Sequence, residues 1–287
     1  MMPMKRVVAY LLVGGVACIQ PASAERLKMG IVPLESAANM IRKFTPLSAY
    51  LSAELGAEIE LVVGKDYQET MDAIGANQVQ IAFLTPTTYP KAQRQNPAAG
   101  IQAVARFLVS GKGTYNSCIV VSKDSPISSL AELAGKSFAF GSKDSTSSCL
   151  MPKSMLVEAG VSLDKIKENH LKGMDNIVLA VGMGNFDAGG VMSSVAEEGA
   201  ANGDVKILAT SRPIPEFPVS VNASVDSVVR AKLLAALMKL NEANPAHKTV
   251  LESINPKYTG VEPAGDGDYD VIRDMIGNIY GDAFYAR

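Results

Sequence analysis

The chain has 287 residues, 47% of them hydrophobic and 20% charged, with a formal net charge of -2 at pH 7. This balance describes an ordinary globular protein. It excludes a disordered tail and a basic nucleic-acid-binding surface, so nucleic acid is not an expected partner. Two histidines and no tryptophan leave little material for His-based catalysis, while the length suits one large or two modest domains with an ample core.

The first segment reads as an address. Lys5 and Arg6 form a positive head, Val7 to Ile19 an apolar run short for a bilayer span, and Ala22-Ser23-Ala24 a small-x-small cleavage site. Residues 1–24 are therefore predicted to be a signal peptide cut after Ala24. Cys18 follows Gly15-Val16-Ala17, a poor lipidation box, and cleavage further on explains the segment better. Cleavage removes Lys5, Arg6 and Cys18 and no acid, leaving a more acidic chain with two cysteines, Cys118 and Cys149. No later stretch is apolar enough to span a membrane. The expected compartment is a periplasm.

From Arg26 the pattern alternates. A strand at Leu27 to Val32 is followed by an amphipathic helix from Ala37 to Leu55 and a strand from Glu58 to Val63. Asp66 is placed to cap the next helix, with Glu69 completing a capping box. A strand from Val79 to Leu84 then runs into the polar loop Thr85 to Tyr89, and in open α/β sheets ligands sit at such carboxyl ends. A second unit of the same rhythm begins near Tyr115, with a strand from Cys118 to Val121, a capped helix from Ser129 to Ala134 and a strand from Ser137 to Phe140. A polar loop leads into a helix from about Ser147. Further elements follow near Asn176 to Gly184, Ala188 to Val191 and Val205 to Ala209, before Pro213-Ile214-Pro215 punctuates the chain. Helices at Ser227 to Asn241 and Tyr269 to Ile279 complete the pattern.

The fold class is thus α/β with two lobes. Residues 25–112 and 213–287 are assigned to lobe 1 and residues 113–212 to lobe 2. Two crossings make a hinge, and a cleft between α/β lobes is a preferred small-ligand site.

The sharpest local feature is Gly141-Ser142-Lys143-Asp144-Ser145-Thr146-Ser147-Ser148-Cys149, after a strand and before a helix. Exposed N–H groups, the helix dipole and a run of hydroxyls attract an oxyanion there; plain capping by one serine explains the composition equally well. The Gly-Lys-Ser/Thr ending of a phosphate loop is missing.

These residues, together with Met29-Gly30-Ile31-Val32-Pro33, Thr45-Pro46-Leu47, Val79-Gln80-Ile81-Ala82-Phe83-Leu84-Thr85-Pro86, Tyr115-Asn116-Ser117, Asp124-Ser125-Pro126-Ile127 and Gly184-Asn185-Phe186-Asp187-Ala188, resemble a known family. It is the phosphate/phosphonate-binding periplasmic components of ABC transporters, within the type II periplasmic binding proteins. The resemblance covers nearly the whole mature chain. It implies that Ser145, Thr146 and Ser147 grip an oxyanion from lobe 2, and that Tyr89 and Tyr115 reach it from lobe 1 and the hinge; Thr85, in the loop at the carboxyl end of its strand, is a further candidate ligand residue. It implies that Asp187 faces an amino group on the ligand and that Glu35 lies near the cleft mouth. The partners it implies are a small oxyanion and a transporter permease; a monomer without cofactor is expected.

Three departures stand out. Lys172-Gly173-Met174-Asp175 places Met174 where the family carries a donor histidine, and a thioether donates no hydrogen bond. Ser148 and Cys149 replace the usual Gly and aromatic residue, and Cys118 replaces an ordinary apolar one. Cys118 and Cys149 are either a disulfide, as expected for an exported protein with an even count, or a thiol site for a soft centre such as trivalent arsenic. In the second case the chain resembles arsenic-oxyanion sensors that signal to a membrane histidine kinase. Two cysteines and the distant His170 and His247 make no metal site. No nucleophile–base pair has a recognisable motif, so catalysis is not expected.

Overall fold

A computed structural model of the chain describes residues 26–286. The predicted signal peptide and its cleavage after Ala24 lie outside these residues. The first lobe begins β1 (Arg26–Ile31), α1 (Ala37–Leu55), β2 (Glu58–Val63), α2 (Tyr67–Gly75), β3 (Ile81–Phe83), α3 (Thr88–Gln95) and β4 (Gln102–Val109). Local chemistry sets these boundaries. Ser36 caps α1 through its side chain, and Gly56 closes it in the left-handed region at φ 68°. Met40, Phe44, Leu47 and Leu51 recur at helical spacing on its buried face. Asp66 caps α2 by accepting from the Glu69 N–H at 2.8 Å. Glu69 reaches back to the Lys65 N–H instead of that of Asp66, so the expected capping box closes one residue early.

The chain crosses through β5 (Thr114–Tyr115) into β6 (Ser117–Ser122) and β7 (Ser137–Phe140). A single π turn (Thr146–Leu150) leads into α4 (Met151–Glu158), followed by β8 (Lys167–His170), α5 (Met174–Gly182), β9 (Ala188–Met192), α6 (Ser193–Ala201) and β10 (Val205–Thr210). It returns through β11 (Ile214–Pro215) into β12 (Pro218–Val221), α7 (Ser227–Lys239), α8 (Pro245–Ile254), β13 (Tyr258–Pro263) and α9 (Asp270–Ile279). The segment expected as a helix at Ser129 to Ala134 is one 3-10 turn, Leu130–Leu133.

Three sheets result. One is six-stranded, in the order β13-β4-β12-β3-β1-β2, and one five-stranded, in the order β10-β6-β9-β7-β8; the pair β11-β5 forms a two-stranded ribbon between them. β1, β2 and β3 are parallel, as are β7, β8 and β9, so their carboxyl ends share one edge of each sheet. The strand β12, arriving from the second crossing, inserts antiparallel between β3 and β4. This is the two-lobed α/β architecture with a hinge ribbon. Phe83 stacks on Phe217 at 5.2 Å and Tyr115 lies 5.6 Å from Phe217, so the first-lobe core continues into the hinge. Among the described residues no helix is long and apolar enough to cross a membrane, and no group of His, Cys, Asp and Glu is arranged to hold a metal ion.

Candidate functional site

The loops that leave the carboxyl ends of β3 and β7 meet each other. After β3, Thr85 and Thr88 cap one another, Thr88 Oγ1 accepting from the Thr85 N–H at 2.8 Å and Thr85 Oγ1 from the Thr88 N–H at 3.0 Å. Thr87 is left facing the second lobe. Its N–H donates to Thr146 Oγ1 at 3.0 Å, and its hydroxyl lies 2.8 Å from the same oxygen. The Thr85 hydroxyl also lies 3.3 Å from the Asp144 carbonyl, and Lys91 Nζ donates to Asp144 Oδ1 at 2.6 Å.

On the other side Gly141 opens the hydroxyl loop. A Cβ there would stand 2.0 Å from Ser148 Oγ, so a side chain at 141 is incompatible with the fold-back that lets its N–H donate to the Ser148 carbonyl at 2.8 Å. Ser145 caps the turn, its Oγ accepting from the Ser148 N–H at 3.3 Å and from the Ser148 hydroxyl at 2.7 Å. The Leu150 N–H donates to the Ser145 carbonyl five residues back, which makes this first turn π before it runs into α4. π turns concentrate at functional sites. N–H groups in such a first turn have no intrahelical acceptor, and the positive end of the helix dipole lies among them. Ser145, Thr146, Ser147 and Ser148 are all buried. Ser117 on β6 pins the turn by donating to the Ser147 carbonyl at 2.6 Å.

Two tyrosines complete the wall. Tyr67, in the first turn of α2, faces the Ser145 hydroxyl, and burial raises its pKa well above the ordinary phenol value. Tyr115 on the hinge ribbon faces Thr146 and Ser147, and burial, reinforced by the charge of Glu216, pushes its pKa up as well. Its hydroxyl is buried beside the Thr146 and Ser147 side chains without a well-formed hydrogen bond to either. Such an orphaned group costs about 1–3 kcal/mol. Protonated phenols, hydroxyls and helix-terminal N–H groups are gathered around this turn, and these are the kinds of neutral donor that bind an oxyanion.

Ser145, Thr146, Ser147, Tyr115 and Thr85 of the expected residues come together here. Tyr89 does not. Its hydroxyl donates to Asp266 Oδ1 at 2.9 Å and accepts from the Ala103 N–H at 3.0 Å, and its ring packs on Tyr269 in the first lobe. One residue along a helix turns the side chain by about 100°, so Thr88 turns back onto Thr85 and Tyr89 into the first-lobe core. Asp187 also lies apart from the hydroxyl turn. It precedes β9 at the end away from the cleft, where Oδ2 accepts from the Ser137 N–H at 2.8 Å and from its hydroxyl at 2.7 Å. Partial burial opposes the charge, but those bonds hold the carboxyl below its usual range. Glu35 is half-buried and pairs with Lys43 on α1. Met174 starts α5, and its Sδ accepts from the Met192 N–H at 3.3 Å while it packs on the second-lobe core.

The two cysteines are free, which corrects the expected disulfide. Cys118 lies with Val120 on the α5 and α6 side of the five-stranded sheet, 3.6 Å from Thr210 Oγ1. Cys149 packs on the α4 side, 3.3 Å from the Tyr280 hydroxyl. Their sulfurs occupy opposite faces of one sheet, so neither a bond nor a shared soft ligand joins them. Burial raises the pKa of both thiols, that of Cys149 to about 11, so both are protonated at neutral pH.

Tyr67 and Thr87 adjoin the hydroxyl turn and are absent from the expected set, while Lys91 and Asp144 pair beside it. Tyr67 carried one usable signal: it follows the N-cap at the carboxyl end of a strand, as the hydroxyl turn does in the second lobe.

The family model described as "ABC transporter, phosphonate, periplasmic substrate-binding protein" matches residues 29–269. The chain is 23% identical over 275 residues to the phosphate-import protein PhnD of Mycolicibacterium smegmatis, covering 88% of this chain and 85% of that one. It is 26% identical over 258 residues to the phosphonates-binding periplasmic protein of Escherichia coli, covering 82% and 73%. Among solved structures, PhnD1 of Prochlorococcus marinus in complex with methylphosphonate superposes with a TM-score of 0.80 at 21% identity, over 90% of this chain and 99% of that one. The chain belongs to the periplasmic substrate-binding proteins of phosphonate ABC transporters.

Proposed function

We propose that this protein captures a small phosphonate- or phosphate-type oxyanion between its lobes and presents it to the permease of an ABC transporter. The moving bodies in this reading are residues 113–212 against residues 25–112 and 213–287. Ser145, Thr146 and Ser147 grip the oxyanion from lobe 2, and Tyr67, Thr87 and Tyr115 close on it from lobe 1 and the hinge. Thr85 holds the first-lobe loop in place.

The observation that carries this reading is the Tyr115 hydroxyl, buried without a well-formed hydrogen bond beside Thr146 and Ser147 in the first turn of a helix. An anionic oxygen placed there supplies the missing acceptor and meets the helix dipole at the same time. Binding then favours the closed arrangement because both lobes hold one ligand. The names of two relatives, a phosphate-import protein and a phosphonates-binding protein, support the same ligand class. Met174 brings no donor to the cleft and its sulfur is engaged with the Met192 N–H, so recognition rests on hydroxyls and backbone.

Calorimetry of the mature chain against phosphate, phosphite, methylphosphonate, 2-aminoethylphosphonate, arsenate and arsenite tests this. At least one tetrahedral phosphorus oxyanion is expected to bind, and Ser145→Ala with Thr146→Ala is expected to abolish that binding while leaving the melting temperature within a few degrees. Unchanged affinity in the double variant would refute the site. Heat from arsenite alone, lost in Cys149→Ser, would replace the reading with thiol recognition.

A further inference from the structure

The lobes also touch through charge. Lys91 stands on α3 of the first lobe, and Asp144 in the second-lobe loop one residue before Ser145; their side chains are only 10% and 16% exposed. Solvent-exposed ion pairs contribute little because water and salt screen them. A pair withdrawn from water differs, since separating it strands a charge in a poorly solvated place. Opening the cleft must separate this pair, because its members belong to different lobes.

The C-terminal segment stands behind the same pair. Lys91 Nζ lies 4.7 Å from the centre of the Phe284 ring, and Phe284 stacks on Tyr280 at 4.9 Å. The Tyr280 hydroxyl is 3.3 Å from Cys149 Sγ on the back of the hydroxyl turn, and Lys153 Nζ lies 5.3 Å from the Tyr280 ring centre. Gln95 on α3 donates to the Tyr285 carbonyl at 3.2 Å. Residues 280–285 therefore touch α3 of one lobe and the hydroxyl turn of the other. A second cross-lobe pair, Lys257 with Glu197, is 42% and 53% exposed and is the weaker of the two by the screening argument.

We propose that Lys91 and Asp144 form the latch of the closed cleft, braced by residues 280–285, and that this latch sets how long a ligand is held without contacting it. The effect on ligand affinity rests on the oxyanion reading above; the effect on closure does not. A latch that favours the closed form raises affinity for every ligand by one factor and acts mainly on the dissociation rate.

The test uses the full mature chain, Lys91→Met, Asp144→Asn and the double variant, with inorganic phosphate and methylphosphonate as probes. Lys91→Met keeps the stem against Phe284; Asp144→Asn keeps the loop's shape should the first variant fold poorly. Small-angle scattering without ligand is expected to show a larger radius of gyration in both single variants than in the parent chain. Calorimetry is expected to show whichever probe binds weakened roughly tenfold, a change of about 1.4 kcal/mol, by the same factor for both if both bind. The double variant is expected to lose less than the sum of the two singles, the mark of a coupled pair. Scattering curves identical to the parent's would overturn the latch, as would unequal losses for the two probes, which would make Lys91 a ligand contact. If the parent chain binds neither probe, the oxyanion reading falls and scattering alone decides the latch.

Discussion

Tyr115 and Glu216 meet at the hinge with opposite liabilities. The Tyr115 hydroxyl lacks a well-formed hydrogen bond, so Tyr115→Phe is expected to raise stability by about 1 kcal/mol in urea denaturation while weakening oxyanion binding. A variant that loses both stability and affinity would show that the hydroxyl is satisfied in the folded protein. Glu216 is fully buried in the hinge and accepts from the Tyr258 hydroxyl at 2.9 Å. Burial pushes its pKa up to about 7 from an ordinary 4.5, against the opposing pull of Tyr258, the Phe217 N–H and Arg106. The native state therefore binds a proton that the unfolded state has released, and stability from this group falls as pH rises from about 4.5 to 7 and is level above. A shift of that size corresponds to ~3 kcal/mol. Glu216→Gln is expected to flatten that part of the profile and to be the more stable form at pH 8. An equal slope in both proteins between pH 4.5 and 7 would place the titration elsewhere.

At the scale of elements, much was legible because the cues are local. The first helix has its N-cap, its glycine stop and its apolar spacing in consecutive residues, and its bounds were read as they stand. The strands at Glu58–Val63 and Ser137–Phe140 were likewise read with their observed bounds. The hydroxyl loop was legible as an anion-seeking helix start, but its π geometry was not, because it depends on Gly141 folding back under Ser148 and on Ser117 holding the turn from another strand. The antiparallel strands β4 and β12 were missed for a similar reason: their pairing, Val219 with Ala105, spans over a hundred residues. Tyr89 is expected at the ligand only through the resemblance, and local sequence does not show that the helix begins at Thr88 and rotates the next side chain inward. Two glycines make the packing explicit. Gly190→Ala would set a Cβ 2.4 Å from Pro152 Cγ at the start of α4. A cost of about 1–3 kcal/mol is expected from overpacking, with oxyanion affinity reduced because α4 carries the hydroxyl turn. Gly111 has open space around a Cβ but lies at φ 79°, so its cost is conformational only. Equal melting temperatures for the parent and Gly190→Ala would show that α4 can shift freely on β9.

At the scale of the molecule, the two cysteines test whether the second lobe is built as described. An exported protein with two cysteines invites a disulfide, and sequence alone could not reject one, because which face of a sheet a residue occupies depends on register. Along β6, Cys118 and Val120 point to the α5 and α6 layer, while Ile119 and Val121 point to the α4 layer that also buries Cys149. A bond would need the two Cα atoms within about 7 Å and the Cβ vectors converging, which would require the hydroxyl turn to leave its place over the sheet. The oxidising compartment therefore finds two buried, protonated thiols and no route between them. Thiol titration of the exported, mature protein is expected to give two groups per chain in 8 M urea and slow reaction without it, with the same melting temperature in the presence and absence of reductant. Absence of free thiol in urea, together with a fall in melting temperature on reduction, would mean that the hydroxyl turn can be displaced from the sheet. That result would undercut the oxyanion site as well, because the turn that holds Cys149 also holds Thr146 and Ser147.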